Sequence, residues 1–364
     1  MIRRPLTAAA AAVVAAASAV AYENRPGGAR GRRRQAAQPW YSQETPRERA
    51  AVMRELTLLP WLQEVSSWLA FLATSSAAKL YFGARVAVEL DAASRERVDR
   101  FVSQRRPGQA LLTFSNHTSV LDDPALIVAL TPWRCILSFP SEMRWGVCSS
   151  EICFKNDFFA AYFGAGHTLP IMRGDGVMQR NLADLEEHVV LGHWTHIFPE
   201  GRTYQDRQSS AGRFKWGLGK LIAAGANRAG GEPPLVVPVF HNGMHTLLPH
   251  DEQNQLLSWV PRSAEPHHDP TVHVRVGEPV PVDDLLTEHR QRRRAERASG
   301  IRGAEDGVPS AADRWLWSAV TDRCRAALLE LGSATPRTND TDAVVRQWKR
   351  LLKLRAAAAD GAMR

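Results

Sequence analysis

His117 and Asp122 stand five residues apart in the run Ser115-Asn116-His117-Thr118-Ser119-Val120-Leu121-Asp122-Asp123-Pro124. An imidazole is the usual general base near neutral pH. A carboxylate beside it fixes its tautomer and stabilises the imidazolium that forms. Their spacing does not suit one face of a straight helix, so the pair needs a turn that leads into a helix. Alone it is a weak signal: among 12 His, one Asp at a chosen offset is nearly expected by accident. Thr118 and Ser119 read as helix-capping residues rather than nucleophiles. Asp123 reads as a further cap, ahead of a Pro124 suited to the first helical turn.

Other polar groups gather downstream. Phe198-Pro199-Glu200-Gly201-Arg202 ends an apolar run, and Gly201 permits positive φ or close backbone approach. Glu200 there accepts a hydroxyl, holds Arg173 or Arg202, or simply forms the turn. The fork of Arg173 suits a phosphodiester. Arg213 and Lys215 flank Phe214 at a helix start, to hold a phosphate or to be solvated. His241 and His245 are separated by Gly243 and read as a loop. They lack a third ligand, so no metal is expected there, and no residue pattern requires a cofactor. His193 and His196 need no catalytic role. With 4 Cys and no C-x-x-C pair, a zinc ribbon or disulfide framework is not expected, and Cys148 and Cys153 read as packing residues.

These groups must be held by a scaffold. Short apolar runs at 86–90, 110–115, 135–139, 168–172, 194–198, 235–240 and 271–276 read as strands. Helical patterns at 92–104, 124–130, 176–190, 214–226, 312–332 and 340–358 intervene or follow. Such alternation predicts an α/β layered fold, a mixed and largely parallel sheet flanked by helices. The polar groups then fall at strand ends, where ligands converge in open α/β sheets. Segment 61–82 recurs at helical spacing with Trp61, Val65, Trp68, Leu69 and Leu72, but Glu64 and Lys79 interrupt it. It reads as a packed core helix or as a helix lying in the headgroup layer of a membrane, not as a span. The 11 Trp are core residues by default, with interfacial anchoring as the alternative.

Charge is uneven. Residues 1–39 carry seven Arg against one Glu, and 287–303 carry six Arg against two Glu. The formal charge of +8 therefore resides in these stretches and the rest is slightly acidic. That argues against a nucleic-acid partner. The Arg- and Ala-rich start has the composition of an organelle transit peptide, mitochondrial or plastid, with a secretory signal as the alternative. The expected organisation is a targeting segment at 1–39, an interfacial helical segment at 40–84 and a catalytic domain at 85–286. A basic exposed insertion at 287–312 and C-terminal helices at 313–364 complete it.

The run from Asn116 to Asp122 resembles the N-H-x-x-x-x-D block of the glycerolipid acyltransferases. Gly166 to Arg173 is similar to their second block, Phe198-Pro199-Glu200-Gly201 to the third and Val236-Val237-Pro238-Val239 to the Pro-containing fourth. The order is the family's. The stretches M-R-W at 143–145, I-C-F at 152–154, R-F-K-W-G-L-G-K-L-I at 213–222 and H-N-G-M at 241–244 resemble the family's phospholipid–lysophospholipid transacylases. Likeness covers roughly 56–286. It implies the layered acyltransferase fold, with His117 as base and Asp122 as its partner. Asn116, Arg173, Phe198, Pro199, Glu200, Gly201, Arg213 and Lys215 are then the substrate-binding set.

The implied reaction is CoA-independent acyl transfer between phospholipids, cardiolipin included, at a membrane surface, the mitochondrial one first. Phospholipid and lysophospholipid are the implied partners, with no protein partner indicated. No G-x-S-x-G elbow occurs, so direct transfer is expected rather than an acyl-enzyme. An acyl-CoA-dependent lysophospholipid or glycerol-phosphate acyltransferase shares every one of these residues and stays open. So does a hydrolase with water as acceptor, and, more remotely, a non-enzymatic lipid-binding protein.

Overall fold

A computed structural model describes residues 60–106, 108–137, 143–154, 156–205, 211–226, 233–248, 271–299 and 308–336. The targeting segment and the helix expected at 340–358 lie outside these. The described residues begin with helix α1 (Pro60–Arg85), strand β1 (Ala87–Leu90) and helix α2 (Ala92–Val98), which widens into a π turn. Strand β2 (Leu111–Ser115) runs into a second π turn, Asp122–Ile127, and the short α3 (Val128–Leu130). Then come α4 (Trp133–Leu137), β3 (Gly146–Ser149), α5 (Ser150–Cys153), α6 (Asp157–Ala165) and β4 (Thr168–Ile171). Helix α7 (Arg180–Val190), β5 (Trp194–Ile197), α8 (Gly217–Ala226), β6 (Leu235–Asn242) and α9 (Met244–Leu247) follow, then β7 (Thr271–Val276), α10 (Asp283–Ala298) and α11 (Ala311–Ser333).

The main sheet has strand order β1-β7-β6-β2-β5, and β3 pairs with β4 beside it. A bridge between Trp145 and Thr195 joins the two. All pairings are parallel except β6 with β7, so the sheet is mixed and largely parallel. Every residue of β2 is buried, as expected of a strand covered on both faces. Alternation divides the core. Leu112, Phe114, Val236 and Phe240 face a layer supplied by α7, α8, α10 and α11. Leu111, Val237 and Val239 face the opposite layer, with Tyr81, Phe82, Leu126 and Leu247. Pro238, odd for a central strand, sits where β7 departs: antiparallel pairing starts only at Val239 with Val276.

Four expectations are corrected. Of the strand expected at 135–139, the described residues 135–137 belong instead to helix α4, which buries Cys135 and Ile136 and exposes Trp133 and Leu137. An i, i+4 exposed pair is a helical pattern, hard to tell from a strand in so short a run. The strand in that region is instead β3, and Cys148 on it is disulfide-bonded to Cys153 of α5, with Cα atoms 6.0 Å apart. The strand-to-helix turn brings the sulfurs together, against Phe154, Ala160 and Phe163. Finally, the Arg-rich stretch read as an insertion is helical through Ala298, because Leu285, Leu286 and His289 give α10 a buried face. Trp133 also departs from the default of buried tryptophans, being 47% exposed.

Candidate acyltransferase site

The site sits where β2 and β5 end. Ser115 closes β2, and the chain turns sharply so that Asp122 folds back under His117. The Asp122 carboxylate organises this turn: its Oδ2 accepts the backbone N–H of Thr118 at 2.7 Å and of Ser119 at 2.9 Å. The same oxygen lies 2.9 Å from His117 Nδ1. A carboxylate only accepts, so Nδ1 carries the proton and Nε2 presents its lone pair outward. No described residue bonds Nε2, and the His117 side chain is 20% exposed while that of Asp122 is fully buried. Burial pushes the Asp122 pKa up, but His241, His117 and the Ser119 N–H outweigh it, and the net direction is downward. The carboxylate is therefore ionised at neutral pH.

The capping expectations change accordingly. Asp122 itself caps the turn. Ser119 contributes its Oγ to the Leu121 N–H at 3.3 Å. Asp123 does not cap; it forms a forked pair with the buried Arg144, at 2.6 Å from Nε and 2.5 Å from Nη2. Arg144 also reaches the Gly166 carbonyl at 3.2 Å, tying the turn to the β3–β4 side of the sheet. The sequence reading did not assign a role to Arg144 or to His241, although each lies in a stretch that carried the resemblance.

The third block supports His117 from the other side. Phe198 stacks on the His117 ring with centroids 4.2 Å apart. Glu200, 2% exposed, accepts the His117 N–H at 2.9 Å through Oε1 and the Gly212 N–H at 2.7 Å through Oε2. Pro199 receives the Lys215 N–H at 2.8 Å, and the His117 carbonyl receives that of Tyr204 at 2.7 Å. Gly201 has φ +69°, and a Cβ there would lie 2.8 Å from Lys215 Cε. The glycine thus serves both the left-handed turn and the lysine stem. Glu200 is a brace between two loops rather than a surface ligand. Arg202 lies over the Tyr204 ring, 4.3 Å from its centroid.

Asn116 is fully engaged with β6: its Nδ2 donates to the His241 carbonyl at 2.9 Å and its Oδ1 accepts the His241 N–H at 3.0 Å. Arg213 and Lys215 are exposed beside the buried Phe214. Arg173 is not brought to the dyad. It is half exposed, pairs with Glu151 at 3.3 Å, and follows β4 at the far side of the sheet. That is three strands from β2, about 14 Å at ordinary strand spacing. His241 and His245 are not in a loop; they occupy β6 and α9 and are both buried. Burial, then His241, lowers the His245 pKa to about 4.

Residues 95–242 match the family model described as Acyltransferase. That stretch is an acyltransferase domain, and the chain is similar to the tafazzins. The tafazzin of Drosophila melanogaster is 29% identical over 248 residues, covering 67% of this chain and 55% of its own. Its counterpart in Dictyostelium discoideum is 41% identical over 152 residues, covering 42% of this chain and 50% of its own. The N-acylphosphatidylethanolamine synthase of Arabidopsis thaliana is 36% identical over 185 residues, 50% of this chain and 60% of that one. The chain thus spans about half to three fifths of the length of the curated relatives it matches. The crystal structure of the 1-acyl-sn-glycerophosphate acyltransferase from Thermotoga maritima aligns with 80% of this chain and 97% of that one. The two are 15% identical, with a TM-score of 0.40.

Proposed function

We propose that this tafazzin-like protein moves an acyl chain from a phospholipid to a lysophospholipid without CoA, with cardiolipin among the lipids remodelled. The observation that carries the reading is the 2.9 Å contact of His117 Nδ1 with the buried Asp122, which leaves Nε2 of this partly exposed ring free to take a proton. His117 Nε2 takes the proton from the lysophospholipid hydroxyl as that oxygen attacks the donor's ester carbonyl. The tetrahedral intermediate collapses by breaking the bond to the donor's glycerol oxygen. His117 then returns the proton to that oxygen, releasing a new lysophospholipid. Asp122 stays ionised and holds the imidazolium in both half-reactions. Phe198 fixes the plane of the ring. Arg213 and Lys215 supply cations for the headgroup phosphate, and Arg173 serves a more distant one.

Membrane contact belongs to the same proposal. No helix among the described residues is long and apolar enough to cross a membrane. Helix α1 exposes Val65, Leu69 and Leu80, and α4 beside it exposes Trp133 and Leu137. Their opposite sides pack together through Phe71, Leu72, Cys135 and Ile136. An apolar ledge with a Trp suits one leaflet, of a mitochondrial membrane if the N-terminal segment acts as a transit peptide. Alkaline carbonate frees the protein if the contact is peripheral, and full retention argues for an embedded helix.

The Arabidopsis match favours a second reading, in which the acceptor is the amine of phosphatidylethanolamine. One assay separates the two. The full chain is mixed in liposomes with labelled diacyl phospholipid, monolyso-cardiolipin and phosphatidylethanolamine, without CoA. Label in alkali-labile cardiolipin is the expected outcome, and His117→Ala abolishes it. Label in an alkali-stable amide supports the second reading. Movement only after acyl-CoA is added makes the protein a CoA-dependent acyltransferase.

A further inference from the structure

Asp122 is approached by a second histidine. His241, near the end of β6, is fully buried, and its Nε2 lies 2.9 Å from the Asn116 carbonyl and 3.6 Å from Asp122 Oδ2. Both neighbours are acceptors, so the ring proton sits on Nε2. No described residue bonds its buried Nδ1, which offers a second proton no partner. The imidazole is neutral, with its N–H dipole aimed between the residue that precedes His117 and the carboxylate that backs it. The two backbone–side-chain bonds with Asn116 fix the ring's strand against the turn. We infer that His241 is a positioning residue for acyl transfer, holding the Asn116–His117 turn and the Asp122 carboxylate that backs the base. This rests on His117 acting as the base.

The direction of the effect follows from charge. The positive end of the N–H dipole draws on the Asp122 carboxylate. Without it, that carboxylate acts more strongly on the imidazolium that forms during transfer. The other titratable groups acting on this spot are His117 and Asp122 on the turn, His196 on β5 and His245 on α9. Arg144 acts on His196, and Glu200 holds the His117 N–H. Burial is the main cause that keeps His196, His241 and His245 neutral near pH 7, so none of them masks the change.

The test is the pH profile of CoA-independent transfer in full-chain His241→Gln, His241→Asn and His241→Leu. Gln places an amide N–H near the Nε2 position; Asn reaches only the Nδ1 position. Leu and Asn are expected to lower kcat roughly tenfold and to move the acid limb of kcat/KM up by about half to one pH unit. Gln is expected to restore both. A limb that stays put in Asn and Leu, or Gln behaving like Asn, overturns the inference. If Leu fails to fold, the Gln–Asn comparison still decides. His117→Ala is assayed beside them: activity in that variant removes the base itself, whereas a dead His117→Ala with unshifted His241 profiles removes only the role of His241.

Discussion

Asp122 does three things with one oxygen: it closes the turn, orients His117 and meets the edge of His241. These roles separate under substitution. Asp122→Asn keeps an acceptor for the Thr118 and Ser119 N–H groups but loses the charge and lets the imidazole take the wrong tautomer. Transfer is expected to fall by about a hundredfold to ten-thousandfold, and the melting temperature to fall with it because the stabilising charge is lost and the new NH2 has no acceptor, which activity and calorimetry on one preparation would show. Glu200 behaves differently because both its oxygens accept backbone N–H groups. In Glu200→Gln one of them meets an NH2 instead, and a buried donor goes unpaired. The expected cost is about 1–3 kcal/mol, read as a lower denaturation midpoint, with activity falling because the His117 N–H loses its brace. The nearness of His117 to Asp122 could be read from the strand before them and the Pro after them. The neighbours His241 and Arg144 could not, since they arrive from β6 and from the start of β3, and no local pattern announces a partner about 20 or 120 residues away.

At the scale of elements, what was legible depended on how a segment is buried. β2 and β6 are covered on both faces, so their runs are mostly apolar and stand out in the sequence. β3 is short, weakly apolar Gly-Val-Cys-Ser, and is a strand because β4 and the Trp145 bridge offer it partners. α10 is outwardly basic, and only Leu285, Leu286 and His289 reveal its docked side. Close approach between helices is equally silent in sequence. A Cβ at Gly219 of α8 would lie 2.5 Å from the Trp317 carbonyl oxygen and 2.6 Å from its Cα, on α11. Backbone cannot step aside as a side chain can, so Gly219→Ala must push the two helices apart. A loss of about 1–3 kcal/mol is expected from such overpacking. Urea denaturation measures it, and an unchanged midpoint would mean that α11 does not sit this close.

Over the whole molecule, buried imidazoles give the fold a weakness to mild acid. Trp145 is sandwiched between His167, with ring centroids 4.2 Å apart, and His188, at 3.5 Å. His188 Nδ1 lies 3.0 Å from His193 Nδ1, so at least one of the two rings must be neutral. Burial, then Arg144, lowers His167 to about 4, and burial, then His193, lowers His188 to about 3. His245 stands at about 4, mainly through burial. All three lie below the ordinary 6.5, so between that pH and about 4 the unfolded chain binds protons that the folded one refuses. Stability therefore falls as pH drops through this window, by about 1.4 kcal/mol per pH unit for each fully buried ring. Asp122 works in a lower window: its depressed pKa contributes stability above 3.8 that is lost only on further acidification. The melting temperature is thus expected to decline steadily from pH 6.5 to 4.5, ahead of carboxylate protonation. His245→Gln should flatten that slope, while Asp122→Asn should leave it in place. A wild-type melting temperature that holds level down to pH 4.5 would show that these histidines take up protons without opening the fold.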